Sequence, residues 1–434
     1  MTQLAPEDRF FRIVEDALCI GCGLCEALSD NEIKVGPTKD GSLRPFLDRP
    51  LDAGLVDRIF EVCPGTRIAS LPDTLVDAKT ETDLVWGPYR QILMTHASDQ
   101  DVRFRAATGG ALTALSLYLL ESGQVDFIVH AKASKTHPSF GAPHVSRTRA
   151  EVLEGAGSRY GPTATLIDID DRLAEERPFA FVGTPCDVTA LRNLARFDER
   201  VDKFCRIMMT PVCGGFMETP ALSKRVGEFG IAFERLASLQ YRGNGCPGPT
   251  RMEQDDGKAV EKTYLDFWGE DESAWSLPWR CKICPDGIGE AADIAASDTW
   301  IGGAPSPEQA SDHHKDPGSN AVLARSSRGQ TLLNEAIEAG YLTAEKSLSP
   351  RDMDRFQPHQ LRKKLALGAR LQGIRHAGHL APETVDLRLE ALMAQNTDEE
   401  NRSQFEGTVS RIRAGKAHES RPQHSDAIGG AAHE

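Results

Sequence analysis

Ten cysteines punctuate a chain of 434 residues, and their spacing is the first chemistry the sequence offers. Cys19, Cys22 and Cys25 form C-x2-C-x2-C, and a distant Cys63 is followed at once by Pro64. Three thiolates at those intervals wrap three corners of a 4Fe–4S cubane, and a remote Cys-Pro supplies the fourth, the pattern of ferredoxin-type clusters. Gly21 and Gly23 let the backbone close tightly around such a group. The usual run brings the fourth cysteine three residues after the third, whereas 37 residues separate Cys25 from Cys63 here. Four thiolates also suit a structural zinc ion, so that alternative stays beside the cluster.

A second group is more dispersed. Cys281 and Cys284 form a lone C-x2-C before Pro285. Cys186 falls at the start of an expected helix, where free amides and the helix dipole favour a thiolate. Cys213 sits in a loop before two glycines, and Cys246 in the glycine- and proline-rich loop 242–248. Five candidates thus compete for four positions. The expected set is Cys186, Cys213, Cys281 and Cys284, with Cys246 as the replacement for any that fails. Cys205 lies inside an expected strand and reads as a core cysteine.

The elements that must position these residues follow an α/β rhythm. Phe179 to Gly183 and Cys205 to Thr210 read as strands that each lead into a cysteine-bearing loop. Thr184 is a natural N-cap, Pro185 suits the first helical position, and Asp187 approximates a capping box. The segment Gly109 to Gly123 reads as a helix, opened by Gly109-Gly110 and stopped at Gly123, before a strand over Val125 to Ala133. Ala321 to Arg325 reads as a strand and Gln330 to Ala339 as a helix.

Fifty basic and 64 acidic side chains leave a net charge of −14. That balance argues against general nucleic-acid binding, which wants a basic surface. The longest apolar stretch, Ala111 to Leu120, is too short to span a membrane, and the acidic N-terminus is unlike a signal peptide. The expectation is a cytoplasmic protein with reduced thiols, in which clustered cysteines bind metal rather than each other. No nucleophile elbow, Walker loop, HExxH or dinucleotide GxGxxG is present. His313-His314 read as exposed loop residues. The stretch from Leu361 through Arg362, Lys363 and Lys364 to Arg370 and Arg375 is the clearest basic cluster, either a solvated helix face or a dock for an acidic electron carrier.

Six ordered blocks carry a resemblance: Thr108-Gly109-Gly110-Ala111-Leu112-Thr113, Gly157-Ser158-Arg159-Tyr160, Val182 to Asp187, Val212 to Gly215, Trp279 to Asp286 and Ala292 to Trp300. With these the chain resembles the β subunits of coenzyme F420-reducing hydrogenase and F420-linked dehydrogenases. That family also includes the 7-hydroxymethyl chlorophyll a reductases and the ferredoxin-dependent divinyl chlorophyllide reductases. The resemblance implies a flavin–iron–sulfur oxidoreductase with FAD and one or two 4Fe–4S clusters. A flavin converts the single electrons of clusters into the pairs that organic substrates need. It further implies flavin contacts at Thr108, Gly109, Gly110, Thr113, Ser158, Arg159, Tyr160 and Asp298. The glycine-opened helix is also a ready anion site for the FAD pyrophosphate. Two positions depart from the family pattern: Asp187, commonly Gln, and Gly214, commonly His.

The expected architecture is therefore an α/β, mixed-sheet flavin-binding core with an N-terminal ferredoxin-like segment. Residues 1–85 would carry the first cluster, 86–175 and 176–345 the two parts of the core, 346–395 a helical extension and 396–434 a disordered tail. The expected function moves electrons between two 4Fe–4S clusters, FAD and a conjugated organic substrate or coenzyme F420. Ferredoxin or another redox subunit would dock near Arg362, Lys363 and Lys364. The alternative from a different class is a non-catalytic zinc or iron–sulfur relay or scaffold subunit.

Overall fold

The computed structural model describes residues 4–269, 275–311 and 316–429. His313 and His314 lie outside them. The chain begins with helix α1 (Pro6–Glu15), a hairpin pairing Ile33–Pro37 with Leu43–Leu47, and helix α2 (Ala53–Val62). Asp52 caps α2 by accepting the amides of Gly54 and Leu55. Such caps contribute about 1 kcal/mol.

The centre is an eight-stranded mixed sheet. Its strands are β1 (Gln91–Ala97), β2 (Phe127–Ala133), β3 (Gly141–Ser146), β4 (Phe179–Val182), β5 (Cys205–Pro211), β6 (Ile294–Asp298), β7 (Asn320–Ala324) and β8 (Leu342–Ser347). They lie in the order β8-β1-β7-β6-β5-β4-β2-β3. The inner four, β2, β4, β5 and β6, run parallel, and antiparallel strands flank them on both sides. Parallel strands must be covered on both faces, which explains the unbroken apolar runs Phe179-Ala180-Phe181 and Ile207-Met208-Met209. Helices α3 (Ala111–Glu121) and α5 (Ser327–Glu338) cover one face, and α4 (Pro185–Leu194) covers the other. Thr184 and Asp187 do form the capping box of α4.

Two helices beyond the sheet return to the N-terminus: α6 (Pro358–His376) and α7 (Asp398–Arg413). Leu367, Leu371 and Ile374 of α6 and Ile412 of α7 share one core with Phe10, Ile13, Val56 and Ile59. Strand Arg67–Ala69 pairs in parallel with Glu383–Val385. The first 85 residues and the extension thus share apolar contacts.

Residues 398–413 are helical where a disordered segment is expected over 396–434, of which 430–434 lie outside the described residues. Thr397 and Glu400 form a capping box, and α7 buries Thr408, Val409 and Ile412. Gly373 of α6 permits the approach, since a Cβ there would stand 2.9 Å from the Phe405 carbonyl. Tertiary docking of one short stripe orders a helix whose own apolar content is low. Among the described residues, no helix is long and apolar enough to cross a membrane.

Candidate functional site

The carboxyl ends of parallel strands are where α/β proteins place ligands. Here those ends deliver Thr184 and Cys186 after β4, Cys213 after β5, and Asp298 as the last residue of β6.

Cys19, Cys22, Cys25 and Cys63 line one mainly apolar cavity together with residues of α1, α2 and the hairpin. Its tight backbone depends on two glycines. Gly21 and Gly23 hold positive φ, and a Cβ on Gly23 would stand 2.7 Å from Ile167. Burial raises the pKa of all four thiols, and neighbouring cysteines add to the effect for Cys22, Cys25 and Cys63. Cys63 is pushed up to about 11. Each sulfur also meets a backbone amide, from Gly21, Leu24, Glu26 and Gly65 respectively; the Gly65 contact is 3.3 Å.

The second set is assembled from three loops. Cys186 stands 3.0 Å from the Thr184 hydroxyl. Cys213 anchors its amide on the Gly287 carbonyl at 2.7 Å, just beyond Cys284. Burial, then Cys284, pushes Cys213 up to about 11, and burial, then Cys213 and Cys284, pushes Cys281 to about 12. Cys186 is raised by burial, the Asp187 carboxylate and Cys213. Cys246 is elsewhere: it is buried near Asp316, Arg242 and Trp300, with no other cysteine acting on it. Cys205 is buried in β5. Among the described residues, no three His, Cys, Asp or Glu side chains converge on the point where a single ion would sit.

The two cysteine sets adjoin. Arg280, beside Cys281, donates to the Pro64 carbonyl beside Cys63 at 2.8 Å. The buried Asp187 carboxylate acts on Cys22 of one set and on Cys186 and Cys213 of the other. It accepts from the Thr184 amide at 3.0 Å and hydroxyl at 2.7 Å, and burial raises it to about 6. In the sequence Asp187 reads as a helix cap and as a departure from the family pattern. Its place between the sets depends on two loops meeting, which spacing does not report.

The residues that the resemblance implies as flavin contacts separate into groups. Thr108, Tyr160 and Asp298 converge on Arg242. This arginine donates to the Tyr160 hydroxyl at 3.1 Å, Asp298 Oδ2 at 3.0 Å, the Ala107 carbonyl at 2.8 Å and the Pro247 carbonyl at 3.1 Å. Thr108 donates to Asp298, Ser158 bridges the Arg242 backbone, and the guanidinium lies over the Trp300 ring at 4.7 Å. Gly109 is pressed on Asn320, whose side chain accepts the Ala111 amide at 3.1 Å; the first helical amide of α3 is therefore satisfied from within. Gly110 holds the left-handed N-cap conformation and Thr113 is half-buried one turn on. Arg159 points away, toward the Leu239 carbonyl at 3.3 Å. Arg242 and Asn320 were missed. Arg242 opens the same loop that carries Cys246, and its charge in a glycine-rich segment is the one local signal.

The basic cluster on α6 is only partly at the surface, where Arg362 and Arg375 are exposed. Lys364 is buried and paired with Glu290, which also takes Arg388 at 2.7 Å. Lys363 donates to the Gly214 carbonyl at 3.0 Å, next to Cys213. Of the three residues expected to face a partner, only Arg362 is exposed. Helical spacing turned the other two inward, where carboxylate and carbonyl acceptors meet them.

Comparison with known proteins gives matches in the same order as the fold. The model of the coenzyme F420 hydrogenase/dehydrogenase beta subunit N-terminal region matches residues 92–169, and that of the C-terminal region matches 176–349. The chain is 36% identical over 268 residues to the coenzyme F420 hydrogenase subunit beta of Methanosarcina barkeri, covering 58% of this chain and 81% of that protein. It is 26% identical over 292 residues to the corresponding subunit of Methanococcus voltae, covering 64% and 92%. A longer match, 22% over 359 residues, joins 81% of this chain to 52% of the coenzyme F420-dependent sulfite reductase of Methanocaldococcus jannaschii. Both halves of the core thus match in sequence order, and the chain belongs to the coenzyme F420 hydrogenase/dehydrogenase beta-subunit family.

Proposed function

We propose that this chain is an iron–sulfur flavoprotein oxidoreductase that moves electrons between two 4Fe–4S clusters, FAD and a conjugated organic substrate or deazaflavin, with ferredoxin or another redox subunit as one-electron partner. The observation that carries this reading is the pair of adjoining cysteine quartets, Cys19/Cys22/Cys25/Cys63 and Cys186/Cys213/Cys281/Cys284. The residues fit the group. The thiols of the first quartet line a shared cavity, which suits the separate corners of a cubane, whereas zinc needs its sulfurs about 2.3 Å from one point. The amides on the first four sulfurs would offset the negative charge that thiolates bring into an apolar site.

FAD supplies one-electron and two-electron chemistry in the same group. The chain's own residues would orient it. Thr108, Tyr160 and Asp298, locked by Arg242, form the wall at the end of β6, close to the loop that carries Cys213. Gln357 donates to the Asp298 carbonyl at 3.1 Å and Gln360 to the Cys213 carbonyl at 2.8 Å, so the start of α6 fixes both loops. Membership in a family named for F420 makes a deazaflavin one substrate class, and an extended conjugated ring the other.

The test is anaerobic purification with iron, sulfide, zinc and flavin quantified on one sample. About eight irons and one FAD per chain are expected from cubane stoichiometry. Zinc without flavin would leave a structural scaffold and overturn the reading. In Cys22→Ala, about half the iron should be lost while FAD and the second cluster's signal remain; loss of all three together would refute two separable sites.

A further inference from the structure

A cleft of about 330 Å³ opens between the end of β2 and the antiparallel strands Leu236–Gln240 and Thr250–Gln254. Four arginines line it, Arg105, Arg159, Arg242 and Arg251, and no Asp or Glu lies among the described lining residues. Their situations differ in a way that singles out one of them. Arg242 has its donors committed to Tyr160, Asp298, Ala107 and Pro247. Arg105 and Arg251 stand half-exposed at the rim, each paired with a surface carboxylate, Asp101 at 2.8 Å and Glu253 at 3.1 Å. Arg159 is the exception. Its Nε is buried without a hydrogen-bond partner, and its Nη1 donates to the Leu239 backbone carbonyl at 3.3 Å. Burial depresses its pKa, and no carboxylate acts to restore it.

A guanidinium taken out of water needs an anion to compensate it. Its planar fork matches phosphate and carboxylate oxygens, and several guanidiniums around one cleft select a multiply charged group. We propose that this cleft is an anion site that takes a phosphate-class group, with Arg159 as its inner contact and Arg105 and Arg251 at its rim. The ligand's identity rests on the flavoenzyme reading, and two sources share the chemistry: the diphosphate of FAD, or a phosphate carried by the substrate. The site adjoins the Arg242 wall in either case, because Arg159 and Tyr160 are consecutive and Arg242 lines both.

The experiment titrates the full-length, anaerobically purified protein with inorganic pyrophosphate at low ionic strength by calorimetry, with flavin and iron measured on the same samples. Wild type, Arg159→Gln and Arg251→Gln are compared; the rim variant leaves the interior untouched and guards against misfolding. Loss of one charge-assisted contact should weaken pyrophosphate about tenfold in Arg159→Gln, and severalfold in Arg251→Gln. Binding to the flavin-loaded protein, with full flavin in Arg159→Gln, assigns the cleft to the substrate's phosphate. Binding only after flavin is stripped, with flavin depleted in Arg159→Gln, assigns it to the FAD diphosphate. Equal pyrophosphate binding and equal flavin content in all three proteins overturns the proposal. A wild type free of flavin would sink the flavoenzyme reading alone, and the titration would still decide the cleft.

Discussion

At the scale of single residues, the side chains that organise the centre are buried and charged, and each makes a distinct claim. Arg242 joins loops from residues 107, 160, 247 and 298. Replacing it by methionine would take away the cation paired with the Asp298 carboxylate. Breaking a buried ion pair from one side costs about 3–5 kcal/mol, so the urea midpoint of Arg242→Met should fall clearly; an unchanged midpoint would show that the network is incidental. His130 makes a pH-dependent claim. It is buried against Ser146 at 2.7 Å, and burial, with His144 and Lys132 nearby, lowers it from 6.5 to about 3. The native state therefore binds this proton more weakly than the unfolded chain. Its contribution is complete above about pH 6.5 and is lost as pH falls towards 3. Asp293 acts in a lower window. Burial alone would raise it, but Arg192 and Arg328 override burial and hold it at about 2, against 3.8 unfolded. Denaturation measured from pH 7 to 4 should thus show a decline that His130→Gln flattens; an identical slope in both proteins would refute the assignment.

At the scale of elements, α6 shows how position changes a residue's meaning. The run Arg362-Lys363-Lys364 reads as basic in any window. One turn of helix sends Lys364 to Glu290 and Lys363 to the loop after Cys213, leaving Arg362 outside. Lys364→Met should cost about 3 kcal/mol in unfolding experiments, because Glu290 loses one of its two cations. If stability held and only reduction by ferredoxin slowed, Lys364 would be a docking residue after all. The cysteine spacing was legible because cysteines three residues apart are brought together by local chain geometry, and so were β4, β5, α3 and α4, whose apolar runs and caps are local. What stayed hidden required distant segments to meet: Arg242 with Asp298, Asp187 between two loops, and α7 on α6. Helix α7 had one local signal, the Thr397–Glu400 capping box, but its buried stripe is too short to stand out against so many polar neighbours.

At the scale of the whole molecule, the chain closes on itself around the first cysteine set. After α7, residues 417–429 run back across the N-terminal hairpin that helps to line the cavity. Glu419 pairs with Arg44 at 2.6 Å, and Arg421 reaches Asp8 and Glu15 at 3.0 Å. His424 contacts the Leu47 carbonyl at 2.8 Å, the Lys39 amide donates to Asp426 at 3.0 Å, and the Ile428 amide donates to Pro37 at 2.9 Å. Surface ion pairs alone contribute little, but the Arg44 side chain is only 10% exposed. It faces both Glu419 and Cys19. Losing the carboxylate would leave a cation desolvated beside the cavity, and losing the strap would free both strands of the hairpin. Truncation after Ala414 should therefore act locally. The expected outcome is rapid loss of iron from the first set to a chelator, faster proteolysis within residues 30–50, and an intact signal from the second set. Uniform iron loss from both sets would mean that the strap stabilises the whole fold instead. Chelator resistance equal to that of the full chain would show that α1, α2 and the hairpin hold the first site unaided.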